Sequence, residues 1–394
     1  MTATGLAIVT VCSNHYVPAA KVMMRSARLH HPHATLYLCL GDHRVDEPGF
    51  YPEDCEVIDA ASLGTTGLGI AGFNSLAFGY DAMELNTAMK PFILLEALNR
   101  GHDRVMYFDT DIALYSPLDD ILDRLDGGAS MVVTPHVIRP AEGAREPDDL
   151  GIMRAGVYNT GFLAVRDCAE ARGVLEWWGR RLLRHCLKAQ ESGLFVDQKF
   201  FDLVPCFGDA IHILRRTRHN VAYWNLQERS LTQEGEGWRV DGAPLGFFHF
   251  SGLDPSDPSR LSRYDDGAAV APVVAGLVTG YAAALLAEGH VAARRHAYGY
   301  GRFASGAPIP RAARQLFRTA YADFADDPFR AFEPVARRIP AGRRALYAQG
   351  DAAPRVAEMQ GSASWRLTEP LRLAMRLMGR VLAPYRQALS SASK

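Results

Sequence analysis

Leu6 to Val11 reads LAIVTV and Thr35 to Leu40 reads TLYLCL. Between them, Val17 to Leu29 carries Val17, Ala20, Met24 and Ala27 at helical spacing. A short apolar strand, a polar turn at Cys12 to His15, a helix and a second strand form the parallel α/β pattern. Glu56 to Asp59 continues it as a third strand. A chain of 394 residues has room for one large domain of this kind with an appendage, or for two domains.

The next strand carries the chemistry. Val105 to Phe108 is a β-rich apolar run that stops at two carboxylates, Asp109 and Asp111. Open α/β sheets bind their ligands beyond the carboxyl ends of the strands, where these two residues fall. On an extended chain, residues i and i+2 share a side. The pair therefore forms a hard-oxygen site suited to Mg²⁺ or Mn²⁺, with positions left for substrate phosphates. An Asp-x-Asp pair also caps turns or faces solvent, and its position after a buried strand is what favours the ligand reading. Ile112 to Leu118 is again apolar and turns at Pro117 into an expected helix, Asp119 to Leu125.

The chain is 48% hydrophobic and 22% charged with a net charge of −1, the balance of an ordinary globular protein. It has neither the global basicity of a nucleic-acid binder nor an acidic tail. Six scattered cysteines, Cys12, Cys39, Cys55, Cys168, Cys186 and Cys206, form no Cys-x-x-Cys and are expected as reduced thiols in the cytoplasm. Met1 to Gly5 lacks a basic region and the apolar run behind it is short, so no signal peptide is expected. Gly267 to Glu288 is dominated by Ala and Gly, too weakly apolar for a transmembrane span.

Further along, Ser62 to Asp81 is expected as a mobile loop covering a site. Asn86 and Thr87 are expected to cap a helix running to Asn99, with Gly101 just past its end. Strands are expected at Met131–Thr134, Gly161–Val165 (entered through Tyr158, Asn159 and Thr160), Ile211–Leu214 and Leu245–Phe250. Helices are expected at Ala169–Ala189 and Val196–Leu203, and a charged connection over 137–157. Past residue 265 the chain turns to Ala- and Arg-rich helices. The expected organisation is an α/β domain over 1–265, a helical extension over 266–355 and a basic amphipathic helix over 356–394.

Four polar groups fall where a sheet would deliver them to one edge: Thr10 to Asn14, Asp109 with Asp111, Tyr158 to Gly161 with Asp197 and Gln198, and His249 with Gly252. Together with Asn86-Thr87-Ala88-Met89-Lys90-Pro91, the order and spacing of Asp109-Thr110-Asp111, Tyr158-Asn159-Thr160-Gly161, Asp197-Gln198 and His249-Phe250-Ser251-Gly252 resemble glycosyltransferase family 8. That family includes glycogenin and bacterial lipopolysaccharide galactosyltransferases. The likeness spans residues 6–253 and implies the GT-A fold, a Rossmann-like, mostly parallel central sheet. It also implies that Asp109, Asp111 and His249 hold Mn²⁺ (or Mg²⁺) against the donor diphosphate, and that Thr10, Val11, Ser13 and Asn14 hold the nucleoside. Lys90, Asn159, Thr160 and Gly252 fall in its donor site, and Asp197 and Gln198 border its reaction centre.

Each of these residues also has a plainer reading. His249 ending an apolar strand suits a hydrogen-bonded core histidine. Asn159 suits a turn, Asp197 a helix cap, and Lys90 a solvated helix face. The chain departs from the family where a lysine is expected three residues past Gly252 and Pro255 stands instead, leaving Arg260 or Arg263 to replace the charge.

The expectation is a metal-dependent hexosyltransferase using a UDP-hexose, with a glycan or lipid-linked acceptor, in bacterial surface polysaccharide synthesis. The resemblance implies retention, by front-face attack with Gln198 or Asp197 stabilising the developing positive charge. The alternatives are a nucleotide-sugar or carbohydrate-binding protein without catalysis, and a sugar-1-phosphate nucleotidyltransferase. The latter would want a Gly-rich basic loop after the first strand, which Thr10 to His15 does not supply.

From Trp365 to Leu389, residues such as Leu367, Leu371, Met375 and Met378 gather on one helix side, and Arg366, Arg372, Arg376 and Arg380 on the other. Such a helix either lies on the inner face of the plasma membrane or packs its apolar stripe on the helical extension.

Overall fold

The computed structural model describes residues 5–64, 72–140, 147–264, 271–321 and 326–339, which fall within one compact unit ending at Ile339. In chain order the strands are β1 (Leu6–Cys12), β2 (Thr35–Leu40), β3 (Glu56–Asp59), β4 (Arg104–Phe108), β5 (Ile112–Leu114), β6 (Met131–Pro135) and β7 (Tyr158–Arg166). There follow β8 (Lys188–Ala189), β9 (Leu194–Phe195), β10 (Ile211–Ile213), β11 (Leu231–Glu234), β12 (Gly237–Val240), β13 (Ala243–Pro244) and β14 (Phe247–His249).

Seven strands form the central sheet in the order β10-β6-β7-β4-β1-β2-β3. β7 runs against both its neighbours, and every other adjacent pair is parallel. The mostly parallel, Rossmann-like α/β sheet expected from the sequence is therefore present.

Successive strand residues point to opposite faces, and both faces here are covered. Ala7, Val9, Val105 and Tyr107 pack against Ile93 and Leu94 of α4 (Lys90–Asn99) and Leu175 and Trp178 of α7 (Ala169–His185). Ile8, Met106 and Phe108 pack on the other side against Met23 and Met24 of α1 (Val17–His30) and Ile121 of α5 (Asp119–Asp126). A strand buried on both faces has no polar alternation, which is why these runs read as continuously apolar.

The structure corrects several local expectations. The loop expected over 62–81 contains a helix, α2 (Phe73–Gly79), because Phe73, Leu76, Ala77 and Phe78 are buried. The helix expected from the Asn86–Thr87 cap to Asn99 starts at Lys90, as α4, and a separate helix precedes it. Asp81 starts α3 (Ala82–Ala88) with a capping box: its carboxylate accepts from Glu84 N–H at 2.9 Å, and Glu84 accepts from Asp81 N–H at 3.1 Å. Asn86 and Thr87 lie inside α3 rather than capping it. Pro91 then sits in the first turn of α4, the one helical place that tolerates its missing N–H.

The charged connection over 137–157 holds α6 (Asp149–Ala155), capped by Asp148 accepting from Gly151 N–H at 2.7 Å. The helix expected to Ala189 stops at His185, and β8 pairs with β9 instead. The helix expected to begin at Val196 begins at Gln198 and is a tight 3₁₀ coil. Tyr158, Asn159 and Thr160 belong to β7 rather than to a turn. The last expected strand is only β14, which pairs with β5 outside the central sheet.

Among the described residues past 265 the elements are helices, α8 (Pro272–Ala287), α9 (His290–Ala293), α10 (Arg311–Ala320), α11 (Pro328–Ala331) and α12 (Glu333–Arg337), with short 3₁₀ and bridge segments between. α8 packs against α1, and Tyr281 stacks on Phe250 with ring centroids 3.8 Å apart. Arg314 of α10 donates to the carbonyls of Ala77, Phe78 and Tyr80, tying the extension to the end of α2. Among the described residues no helix is long and apolar enough to cross a membrane. The expected basic helix over 356–394 lies outside the described residues.

Candidate functional site

β4 delivers Asp109 at its carboxyl end, yet a tight turn, not strand alternation, brings Asp109 and Asp111 together. The strand ends at Phe108, and Ile112 N–H donates to the Asp109 carbonyl at 3.2 Å. The chain then enters β5, whose antiparallel partner β14 places His249 opposite Ile112. Phe250 N–H donates to the Asp111 carbonyl at 2.7 Å and locks this ribbon to the turn. One ligand atom from each of Asp109, Asp111 and His249 thus lies within 4.8 Å of the others.

His249 Nε2 is 3.1 Å from Asp111 Oδ1. Burial works against the Asp111 charge, but the His249 ring, a backbone N–H and the Lys90 charge together outweigh it and hold the carboxyl below its ordinary range. The ring fits because position 161 is glycine: a Cβ there would lie 2.5 Å from His249 Cε1 and 3.0 Å from Nδ1. Two carboxylates and an imidazole held in this cradle fit a divalent ion of the Mn²⁺ type.

Beside the triad, Lys90 is buried with Nζ 3.0 Å from Asp109 Oδ1 and 3.0 Å from Asp197 Oδ2, and it donates to the Thr160 carbonyl at 3.1 Å. Burial opposes its charge, yet the Asp109 and Asp197 carboxylates hold the ammonium above its usual range. The solvated-helix reading of Lys90 is therefore overturned. Asp197 is no simple helix cap either, since its carboxylate accepts from Lys90 and from Thr160 Oγ1 at 2.6 Å. Burial pushes Asp197 up, and Lys90 only partly offsets that. Tyr107 donates to Asp109 Oδ1 at 2.6 Å, which leaves Asp109 held from two sides.

A bulge shapes the floor of the site. The pairing of β6 with β7 jumps from Val133–Leu163 to Thr134–Asn159, and bulges of this kind re-aim side chains. Asn159 Nδ2 donates to Gln198 Oε1 at 3.1 Å, which also accepts from Thr160 N–H at 3.2 Å. The amide of Gln198 is thereby engaged through its oxygen.

These groups surround a cavity of about 880 Å³. Of the residues singled out in the sequence, Val11, Lys90, Asp109, Asp111, Asn159 and Thr160 line it, as do Asp197, Gln198, His249 and Gly252. Thr10, Ser13 and Asn14 do not. Thr10 Oγ1 donates to the Phe108 carbonyl at 2.7 Å, tying β1 to β4. Ser13 accepts from Asn86 at 2.6 Å, and Asn14 donates to the His43 carbonyl at 2.8 Å. Their polar groups organise the turn behind the cavity wall.

Arg263 lines the cavity; Arg260 is not among its lining residues. The Arg263 guanidinium lies 4.9 Å over the Tyr264 ring and donates to the Tyr264 hydroxyl at 2.8 Å, an uncharged partner.

Several lining residues were missed in the sequence. Tyr281, Leu285 and His290 come from the helical extension, which therefore closes one wall. His136 sits just past β6, as Asp109 sits just past β4, and the strand-end rule that found Asp109 would have found it too. Trp224 sits in a 3₁₀ turn, Tyr223–Glu228, and sets its ring 5.2 Å from those of both His136 and His249.

The chain matches no known protein-family model. It is 28% identical over 175 residues, 44% of its length, to the uncharacterized protein YfnF of Bacillus subtilis, covering 57% of that protein. It is 25% identical over 169 residues, 42% of its length, to the uncharacterized protein YfnD of the same organism, covering 52%. The chain thus spans about half the length of these curated relatives. Among solved structures it is similar to the galactosyltransferase LgtC bound to donor and acceptor sugar analogs, at 14% identity and a TM-score of 0.41, over 70% of this chain and 95% of that one. It is also similar to the glycosyltransferase GlyE of Streptococcus pneumoniae, at 16% identity and a TM-score of 0.40, over 74% of this chain and 64% of that one. Mouse xyloside xylosyltransferase 1 aligns at 16% identity and a TM-score of 0.33, over 62% of this chain and 97% of that one.

Proposed function

We propose that the chain is a metal-dependent glycosyltransferase of GT-A architecture. It would move a sugar from a nucleotide-diphosphate donor, a UDP-hexose, to a glycan or lipid-linked acceptor in bacterial surface polysaccharide synthesis. The observation that carries this reading is the convergence of Asp109, Asp111 and His249 within 4.8 Å at the edge of a cavity of about 880 Å³. A divalent ion held by these three residues would neutralise the charge of a diphosphate leaving group. Arg263 supports the reading by adding a cation to the same cavity, which meets the charge requirement left by Pro255.

Asp197 is the better placed of the two reaction-centre residues to stabilise a developing positive charge. It carries a carboxylate whose Lys90 and Thr160 contacts both fall on Oδ2, whereas the single Gln198 amide oxygen already accepts two hydrogen bonds and bears no charge. Retention is part of the proposal. The acceptor hydroxyl enters on the side from which the diphosphate leaves, and a phosphate oxygen takes its proton, so no carboxylate nucleophile is needed. A product of inverted anomeric configuration by NMR would refute this step.

The experiment is a panel of nucleotide sugars incubated with and without Mn²⁺, reading released nucleoside diphosphate. Release from one donor, abolished by EDTA and by Asp111→Ala, is the expected result. Nucleotide binding without release at any metal concentration would instead support a binding protein. Absence of nucleotide binding would overturn the proposal.

A further inference from the structure

We propose that His136 is a positioning residue of this cavity: its Nε2 accepts hydrogen bonds from the side-chain amides of both Asn159 and Gln198 and so decides which way each amide faces. The functional consequence rests on the reading of the cavity as a sugar-transfer site; the geometry does not.

His136 Nδ1 is 3.3 Å from the carbonyl oxygen of Val157, which also accepts from His136 N–H at 2.9 Å. A carbonyl oxygen only accepts, so Nδ1 carries the ring proton, and Nε2 of the neutral imidazole is left as an acceptor. Two side-chain nitrogens surround it: Asn159 Nδ2 at 3.3 Å and Gln198 Nε2 at 3.4 Å. Both amides therefore turn their NH₂ groups to His136.

The opposite ends agree. Gln198 Oε1 accepts from Asn159 Nδ2 at 3.1 Å and from Thr160 N–H at 3.2 Å, while Gln198 Nε2 also donates to the Ala155 carbonyl at 3.0 Å. Asn159 Oδ1 accepts from Gly161 N–H at 3.2 Å and from Asn220 Nδ2 at 3.2 Å. No flip of either amide keeps all of these bonds. The ring itself is held: Asn225 Nδ2 donates to the His136 carbonyl at 3.0 Å, and the Trp224 ring packs at 67° to it. His136 is 5% exposed, and burial keeps the ring neutral.

A buried polar network in which every member has one permitted direction gives the cavity floor a single donor and acceptor pattern. A sugar ring then meets preorganised groups instead of amides that must reorient.

Two variants test this. His136→Phe keeps a ring and removes the acceptor, and His136→Gln returns an acceptor oxygen near the Nε2 position. The expected result is a kcat about a hundredfold lower in His136→Phe, the scale of a misplaced reacting group. UDP affinity in the presence of Mn²⁺ should stay unchanged, and His136→Gln should recover most of the rate. Unchanged kcat in His136→Phe would overturn the proposal, as would a parallel loss of UDP affinity, which marks a merely structural role. A second readout does not depend on turnover. By NMR, the side-chain amide protons of Asn159 and Gln198 should be protected from exchange in the unsubstituted chain and in His136→Gln, and lose protection in His136→Phe. Retained protection in His136→Phe would overturn the inference even if the chain transfers no sugar. Lack of turnover with this protection pattern intact would count only against the sugar-transfer reading.

Discussion

Substituting Gly161 by alanine separates packing at the candidate metal site from every local preference of the chain. Gly161 lies within β7, where an added Cβ restricts the unfolded backbone and fits a strand, so by propensity alone alanine should stabilise by about 0.5–1 kcal/mol. The surroundings forbid it. The new carbon would sit 2.5 Å from His249 Cε1 and 2.8 Å from Asn159 Oδ1, whereas non-bonded carbons need about 3.5 Å. The His249 ring must retreat by about 1 Å, and metal ligands tolerate displacements of only ~0.2 Å. The expected result is a fall in Mn²⁺ affinity of about 10–100-fold, the scale seen when the support of a metal-ligating histidine is lost. The accompanying loss of stability should be about 1–3 kcal/mol from overpacking. Mn²⁺ titration followed by electron paramagnetic resonance reads the first, and urea unfolding in EDTA the second. Wild-type Mn²⁺ affinity in a folded Gly161→Ala chain would refute the placement of His249 in the ligand set.

Lys90→Met leaves the Asp109 and Asp197 carboxylates facing each other without their cation and should cost about 3–5 kcal/mol near neutral pH. Burial holds Asp197 above its ordinary range, so the folded chain keeps that proton to higher pH than the unfolded chain, and stability falls as pH rises through the interval. Removing Lys90 lifts Asp197 further; the loss should therefore be smallest near pH 4 and grow toward pH 7 in urea unfolding, and a pH-independent loss would refute the coupling.

His136 behaves with the opposite slope. Burial lowers it from 6.5 to about 4, with His249 adding to the shift and Asp202 opposing it, so the unfolded chain takes up the proton first as pH falls. Stability should drop by about 3 kcal/mol between pH 6.5 and 4, and His136→Phe should lack this component; identical pH profiles would count against it.

Arg314→Met removes the donor shared by the carbonyls of Ala77, Phe78, Tyr80 and Tyr300 in a buried setting. A loss of about 3 kcal/mol or more is expected by urea unfolding, and under about 1 kcal/mol would mean the clamp is dispensable.

Much of this protein was legible because burial leaves a local trace. β2 and β3 fall where the sequence puts them, and β1, β4 and α1 do so within a residue or so. The misses share a cause. α2 has no polar face to signal a helix, since its apolar side is covered by α10 and α11, more than 200 residues away. The helix start at Lys90 goes with Pro91 in its first turn, a signal present in the sequence.

The site divides the same way. Asp109 and Asp111 stood out by their place after an apolar strand, and His249, Asp197 and Gln198 as polar groups at strand or helix ends, whereas Lys90 entered only through the family resemblance. What these residues touch was not legible. Lys90 looked like a solvated charge until Asp109 and Asp197 closed around it, and that the side chains of Thr10, Ser13 and Asn14 bond to Phe108, Asn86 and His43 rather than line the cavity is visible only in three dimensions.

The sequence by itself therefore determined the layering of the sheet and the chemical inventory at its edge. Strand and helix periods are properties of a few neighbouring residues, and they survive in one dimension. Only the tertiary structure decided that a turn after β4, a bulge in β7, the β5–β14 ribbon and the helical extension meet around one cavity. Each of those contacts joins segments far apart in the chain, where the closing of long loops and the exclusion of a single Cβ, as at Gly161, choose the partner.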